Sequence, residues 1–139
     1  MLEYSASLLV LIITVAMVVL QSVIAAIAHR KQATMIPGIL DQSLDHHSFV
    51  FRSHRTFHNS LENVPLFVLT ALLSIALQVS AATVFWSVFV FFIARVFHMV
   101  LFYSIATNKN PSPRSYFYII GLVSQLYLAG VATGTALMQ

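Results

Sequence analysis

The sequence predicts an all-α integral membrane protein, one domain folded as a bundle of four transmembrane helices. Three observations predict it. Of 139 residues, 59% are hydrophobic and only 8% are charged, against about 45–50% and about 25% in soluble domains. The apolar residues gather into runs long enough to cross ~30 Å of hydrocarbon, which takes ~20 residues of helix. The polar residues between those runs make only one stretch of any length. The same composition excludes other classes. Apolar residues are too many for disorder. There is no cysteine for a disulfide scaffold, and four Gly and four Pro are too few for collagen or low-complexity chains. The net charge is +3, but the seven Lys and Arg are scattered between Arg30 and Arg114. No cluster could track a phosphate backbone, so nucleic acid is not expected as a partner.

Each span has its own signal. No charge lies between Tyr4 and Ala28, which gives span one, about residues 5–29. A cleaved signal peptide would need a basic start, whereas Glu3 is the only early charge and His29-Arg30-Lys31 follows as a stop-transfer flank. Residues 30–54 form the one long polar loop, with room for a short surface helix. The uncharged run between Glu62 and Arg95 is too long for one span. It breaks at its weakest apolar patch, Gln78 to Thr83, so span two covers about 55–79 and span three about 82–107, joined as a tight antiparallel hairpin. Asn108-Lys109-Asn110-Pro111-Ser112-Pro113 is a loop by its Pro and Asn content. Pro113 sits where a helix can begin, and span four covers about 114–137. Residues 1–139 are thus one membrane domain.

The basic residues set the expected orientation. Arg30, Lys31, Arg52 and Arg55 flank the first loop, and Lys109 and Arg114 flank the third. Both loops should face the cytoplasm and both termini the opposite side, in the inner membrane if the host is bacterial.

Ionisable groups inside a span cost a few kcal/mol on insertion scales and are kept for a reason. Glu62, Arg95 and His98 are the clear cases, with Arg55, His58 and Asn59 at the loop end of span two. Arg55, Asn59 and Glu62 follow helical spacing, as do Arg95, His98 and Phe102. Arg114, Ser115 and Tyr118 open span four. All three sets lie in the half of the bilayer toward the polar loops and could converge on one cavity. Two or more guanidiniums suit carboxylates, and a lone Glu beside them suits an ammonium. A small zwitterionic peptide with two carboxylates and one amine would match that set. Guanidinium and hydroxyl groups at a helix start could also stabilise a thiolate. The plainer readings are a structural Glu62–Arg95 pair, a satisfied core histidine at His98, and solvated loop side chains at His46 and His47. Metal is not expected. Haem between His58 and His98 has little support.

These residues resemble the membrane-associated proteins in eicosanoid and glutathione metabolism, which include the microsomal glutathione transferases. The pattern Arg55-x-x-x-Asn59-x-x-Glu62 with nearby Pro65, then Arg95-x-x-His98, then Arg114-Ser115-x-x-Tyr118, occurs in order on the second, third and fourth spans. The resemblance covers most of the chain. Phe102 departs from it, standing where some members have Tyr, and Phe57 stands where close relatives have His. The resemblance implies a left-handed four-helix bundle that assembles as a homotrimer. It further implies that Arg30, Asn59, Glu62, His98, Arg114, Ser115 and Tyr118 contact glutathione, that Arg114 and Ser115 stabilise its thiolate, and that Arg55 and Arg95 serve a structural polar network.

The expected function is a glutathione-dependent membrane enzyme, a transferase or peroxidase. Its thiolate would attack a lipophilic electrophile, or reduce a lipid hydroperoxide, that enters from the bilayer. The expected partners are glutathione, that lipophilic substrate, membrane lipids and two further copies of the chain. A non-catalytic lipid-binding scaffold of the same fold is the first alternative. A small proton-coupled exporter using Glu62 is the second, and the nearby Arg residues argue against it.

Overall fold

The computed structural model describes residues 2–33 and 36–139. Four helices run up and down: α1 (Ser5–His29, after a 3-10 turn at Leu2–Tyr4), α2 (Phe49–Ala76), α3 (Ala81–Ser104) and α4 (Pro113–Leu137). Each is long and apolar enough to cross a membrane, and among the described residues there is no strand. α2 starts at Phe49, ahead of the expected span, so its first polar turns ride at the loop end. Among the described residues of the first loop there is no surface helix. Its turns close on carboxylates instead. Asp41 Oδ1 accepts from the Ser43 N–H at 2.9 Å and from the Ser43 hydroxyl at 2.8 Å, and Asp45 Oδ1 accepts from the His47 N–H at 2.9 Å.

α2 and α3 form the middle of the bundle. α1 packs against both from one side and α4 packs against both from the other. In lipid the hydrophobic effect does not press helices together, so close packing of side chains and small interfacial residues must do it. Phe67 of α2 stacks on Phe91 of α3 with ring centroids 3.8 Å apart. Val84, Val88 and Leu128 close around that pair. Ser53, Thr56, Ser60, Ser74 and Ser87 are buried at the contacts. Several of their hydroxyls are satisfied within the helix, as Thr56 donates to the Arg52 carbonyl at 2.8 Å and Ser87 to the Thr83 carbonyl at 2.8 Å. Ser124 instead crosses from α4 to the Ser87 carbonyl of α3 at 2.7 Å. On α1 the buried face recurs every seven residues, at Ser7, Thr14, Gln21 and Ala28, the spacing that keeps one stripe on a supercoiled neighbour.

The end that carries the termini is tied shut. α2 stops in a Schellman turn. Gln78 takes φ 58°, the Gln78 N–H donates to the Ile75 carbonyl, and the Val79 N–H donates to the Ser74 carbonyl, each at 3.0 Å. The Tyr4 hydroxyl donates to the Val79 carbonyl at 2.7 Å, and the Gln139 amide donates to the Leu77 carbonyl at 3.1 Å. Ser80 then caps α3, its hydroxyl accepting from the Thr83 N–H at 3.2 Å.

At the opposite end the two polar loops meet. Asn108 donates to Asp45 Oδ2 at 3.0 Å. Arg52 is buried beneath them, donating from Nη1 to the His46 carbonyl at 2.7 Å and the His47 carbonyl at 2.9 Å, and from Nη2 to the Tyr103 carbonyl at 3.4 Å. The first loop is thereby pinned to the ends of α2 and α3, over the polar residues of the bundle.

Candidate anion-binding cleft

The start of α4 places two side chains. Pro113 occupies the first turn, where its missing N–H leaves no helical bond unmade. Ser115 Oγ accepts from the Ser112 N–H at 3.2 Å. A hydroxyl has one hydrogen and two lone pairs, so this cap uses the oxygen and leaves the Ser115 hydrogen free to donate elsewhere. Arg114 donates from Nη2 to the Thr107 carbonyl at 2.9 Å. Its guanidinium carbon lies 4.1 Å from the Phe102 ring centroid, a cation–π contact. Its Nη1 is buried without a partner.

α2 and α3 place the rest. Arg95 is 2% exposed and donates from Nη2 to Asn59 Oδ1 at 2.7 Å and to Ser60 Oγ at 3.1 Å. An arginine only donates, so it must face the carbonyl oxygen of Asn59, which turns the Asn59 NH2 group away from it. His98 is buried one turn from Arg95, its Nδ1 also without a partner. Phe102 supplies the flat face on which Arg114 rests.

These side chains line one cleft of about 400 Å³, bounded by Asn59, His98, Phe102, Asn110, Arg114, Ser115, Tyr118 and Ile119. None of the lining residues is acidic. The cleft offers the Asn59 amide, the Arg114 guanidinium with its unpartnered Nη1, the Ser115 and Tyr118 hydroxyls and an imidazole. A wall dominated by donors, with a fixed guanidinium, is the arrangement an anion fills.

The structure therefore brings together Asn59, His98, Arg114, Ser115 and Tyr118, and leaves other expected residues apart. Glu62 and Arg55 are exposed and do not line the cleft. Their angular spread around α2 is wide enough that only Asn59 turns inward. The structural Glu62–Arg95 pair is replaced by the Arg95–Asn59–Ser60 node. Arg30 is also exposed and lies in a second cavity, between α1 and α2. In a single copy it does not line this cleft.

Arg52 and His46 were not singled out as site residues by spacing. Arg52 carried a signal, a charge just ahead of a span, yet its partners are loop carbonyls that no helical period reveals. His46 is half-buried rather than solvated. Its ring meets Phe51 at 4.8 Å edge-on and Phe102 at 5.7 Å, so the loop roofs the residue that carries Arg114. Burial pushes the His46 imidazole below the usual histidine value, and the Arg114 and Arg55 charges push the same way. Among the described residues, no three His, Cys, Asp or Glu side chains gather into a group that could hold a metal ion.

An apolar groove of about 430 Å³ runs between α3 and α4, lined by Trp86, Val90, Ile119, Ile120, Val123 and Tyr127 with Ser87 and Ser124. Ile119 belongs to both the groove and the polar cleft, so a molecule lying in the groove from the bilayer side would abut the anion-binding wall.

No curated protein and no solved structure matches the chain. One family model does, along nearly its whole length. With four membrane-length helices and the MAPEG family model matching residues 7–134, the chain is an integral, multi-pass membrane protein that belongs to the MAPEG family.

Proposed function

We propose that this protein is a glutathione-dependent membrane enzyme that holds glutathione in the cleft at the start of α4 and stabilises its thiolate. The observation that carries the reading is the unspent donor set: Arg114 Nη1 buried without a partner, the Ser115 hydrogen left free by its cap, and the Asn59 NH2 group turned away from Arg95. Glutathione has two carboxylates, a thiol and one amine. The donors suit its anionic groups, and membership of the MAPEG family fits a glutathione-related activity.

In this mechanism Arg114 and Ser115 act on sulfur. The thiol proton leaves to solvent, and the thiolate accepts hydrogen bonds from Nη1 and Oγ. Donors fixed before the reaction favour the anion without reorganising. Asn59, His98 and Tyr118 hold the peptide. Glu62, exposed on α2 and outside the cleft of its own copy, would receive the amine only of a peptide that extends beyond the cleft. The sulfur then attacks an electrophilic carbon of a lipophilic substrate seated in the α3–α4 groove. A C–S bond forms, and the electron pair passes to the leaving group or opened ring. A lipid hydroperoxide in the same groove would be reduced instead: sulfur takes the terminal oxygen as the O–O bond breaks, the lipid alkoxide picks up a proton and leaves as the alcohol, and a second glutathione converts the resulting sulfenic acid to the disulfide and water. Arg30, remote in one copy, would join the peptide's carboxylate from a neighbouring copy in a homotrimer. The basic residues favour placing both polar loops in the cytoplasm.

The α3–α4 groove also suits a scaffold that presents lipids without catalysis. Titration of detergent-purified protein with glutathione, read by the ultraviolet absorbance of the thiolate, separates the two. A saturable thiolate signal that Arg114→Ala abolishes upholds the enzyme. Binding without a thiolate means a site that holds the peptide but does not activate it. No binding at millimolar glutathione moves the function to the scaffold and makes the cleft a structural network.

A further inference from the structure

The buried stripe of α1 carries a polar side chain that neither the cleft nor the α3–α4 groove uses. Gln21 is 0% exposed, and neither Oε1 nor Nε2 of its amide has a hydrogen-bond partner in the protein. Thr14, one step back on the stripe, folds its hydroxyl onto the Val10 carbonyl of its own helix at 2.7 Å. The Gln21 amide makes no such bond. In hydrocarbon an unpaired amide is costly, because the bilayer supplies no water to it.

Contacts on either side fix the level of Gln21. Toward the termini, Leu11, Ile12 and Val15 of α1 share a cavity with Val68 and Leu72 of α2. Toward the loops, Ser22 and Ala25 share one with Phe57 and His58. The two helices run antiparallel, so Gln21 lies at the level of Ser60 on α2. Ser60 is also 0% exposed, and Arg95 of α3 donates to its hydroxyl at 3.1 Å. Arg95 Nε is itself buried without a partner. α1 packs against α2 and α3 alike. The unspent amide of α1, the unspent Nε–H of α3 and the hydroxyl of α2 thus stand at one depth of the bundle.

We propose that Gln21 is a positioning residue for the glutathione cleft: buried water joins its amide to Arg95 Nε and so fixes the guanidinium that holds Asn59. An arginine held at Nη2 alone can swing about that point, whereas a second hold at Nε sets the plane of the rigid fork. Water suits the place because its partners there are of both kinds. It accepts from Arg95 Nε and Gln21 Nε2, and it donates to Gln21 Oε1 and to the second lone pair of Ser60 Oγ. Buried water holds about three such bonds. An anion would face the Gln21 oxygen and a cation would face Arg95, while neutral water meets neither objection.

The effect on binding rests on the glutathione reading, but the two fail separately. The experiment uses the full-length protein in detergent, carrying isotope-labelled arginine and read by NMR without glutathione. The Arg95 Nε–H signal is assigned by its loss in Arg95→Met. It should shift or vanish in Gln21→Met, which keeps the reach of the side chain and removes both polar atoms of the amide. Thiolate absorbance on the same samples then gives the glutathione affinity. Gln21→Met should bind about threefold more weakly, the size of an average side-chain hydrogen bond inside a membrane, and should reach the wild-type amplitude at saturation. The double variant Gln21→Met, Arg95→Met should bind no more weakly than Arg95→Met alone, since both changes act through one chain of contacts. If Gln21→Met does not fold, Gln21→Leu takes its place. If the double variant does not fold, the Nε–H signal and the single-variant affinity decide. A wild type with no thiolate signal overturns the glutathione reading; a shifted Nε–H signal then still upholds the link from Gln21 to Arg95, and an unchanged one ends it. The proposal is overturned by an unchanged Nε–H signal in Gln21→Met, by wild-type glutathione affinity in that variant, or by fully additive losses in the double variant.

Discussion

Arg95→Met removes a buried guanidinium while keeping an unbranched side chain of similar reach. Its expected effect on binding comes through Asn59, not through contact with the ligand. In the wild type the 2.7 Å bond from Arg95 fixes the Asn59 oxygen and turns the NH2 group of this cleft-lining residue away from Arg95. A hydrogen bond to a charged group is worth about 1.5–3 kcal/mol in soluble proteins, and side-chain bonds inside membranes average nearer ~0.6 kcal/mol. Between these limits, a freed amide that can turn either way should weaken glutathione binding by about 1.4 kcal/mol, roughly tenfold. Stability should fall as well, because Asn59 Oδ1 and Ser60 Oγ lose their shared donor. The two effects are separable by titrating the thiolate absorbance and following thermal unfolding on the same samples. Once saturated, Arg95→Met should reach the wild-type thiolate amplitude, since Arg114 and Ser115 are untouched. Unchanged glutathione affinity in a folded Arg95→Met protein would refute the idea that Arg95 aims Asn59. A lost amplitude at saturation would place Arg95 on the sulfur itself.

Gln78→Gly should raise thermal stability by roughly 1 kcal/mol, since Gln78 holds φ 58° in the turn after α2 and a left-handed residue with a Cβ costs about that much; an unchanged or lower unfolding temperature would argue against strain there. Arg114→Ala should return bound glutathione to the ~3% thiolate of a free thiol near pH 7, from roughly a quarter or more if one charged hydrogen bond lowers the thiol by a unit or two. Asp45 is held below its ordinary 3.8 first by the Asn108 side chain and then by the His47 N–H. A depressed carboxyl contributes stability that is present above its unfolded value and lost as pH falls through its lower folded value. Asn108→Ala should therefore flatten the acid loss of stability below about pH 4, and unfolding curves collected down to about pH 3 would reveal an unchanged slope if the contact were idle.

Much of the bundle was legible because hydropathy and loop chemistry agree along the chain. Pro113, the Asn-rich loop before it and the weak patch after Gln78 each mark a break where the structure has one. Hydropathy is blind to the seven-residue stripe of α1, although Ser7, Thr14 and Gln21 stand seven apart among the few polar residues of an apolar run. For the cleft, helical spacing placed Asn59 with His98 and the start of α4, because each set lies within one or two turns of a single helix. It did not show that Glu62 and Arg55 stand outside the cleft, since residues three and four apart span an arc and a narrow cleft admits only its edge. It could not find the roof. Arg52 and His46 owe their positions to carbonyls and rings brought over by the loop, and contacts that distant in sequence leave no period to read.

Arg52, Arg95 and Arg114 are each less than one-tenth exposed, and each is met by carbonyl, amide or hydroxyl oxygens or by an aromatic face. Such dipoles hold a cation in place but leave its charge uncancelled, and a low-dielectric surround screens it poorly. The loop end of the bundle is accordingly a standing positive potential awaiting a counter-charge. Selection at this end begins with the sign of the visitor, before shape is consulted. Chloride and other small anions should compete with any larger one, and the unfilled bundle should be the less stable of its two states.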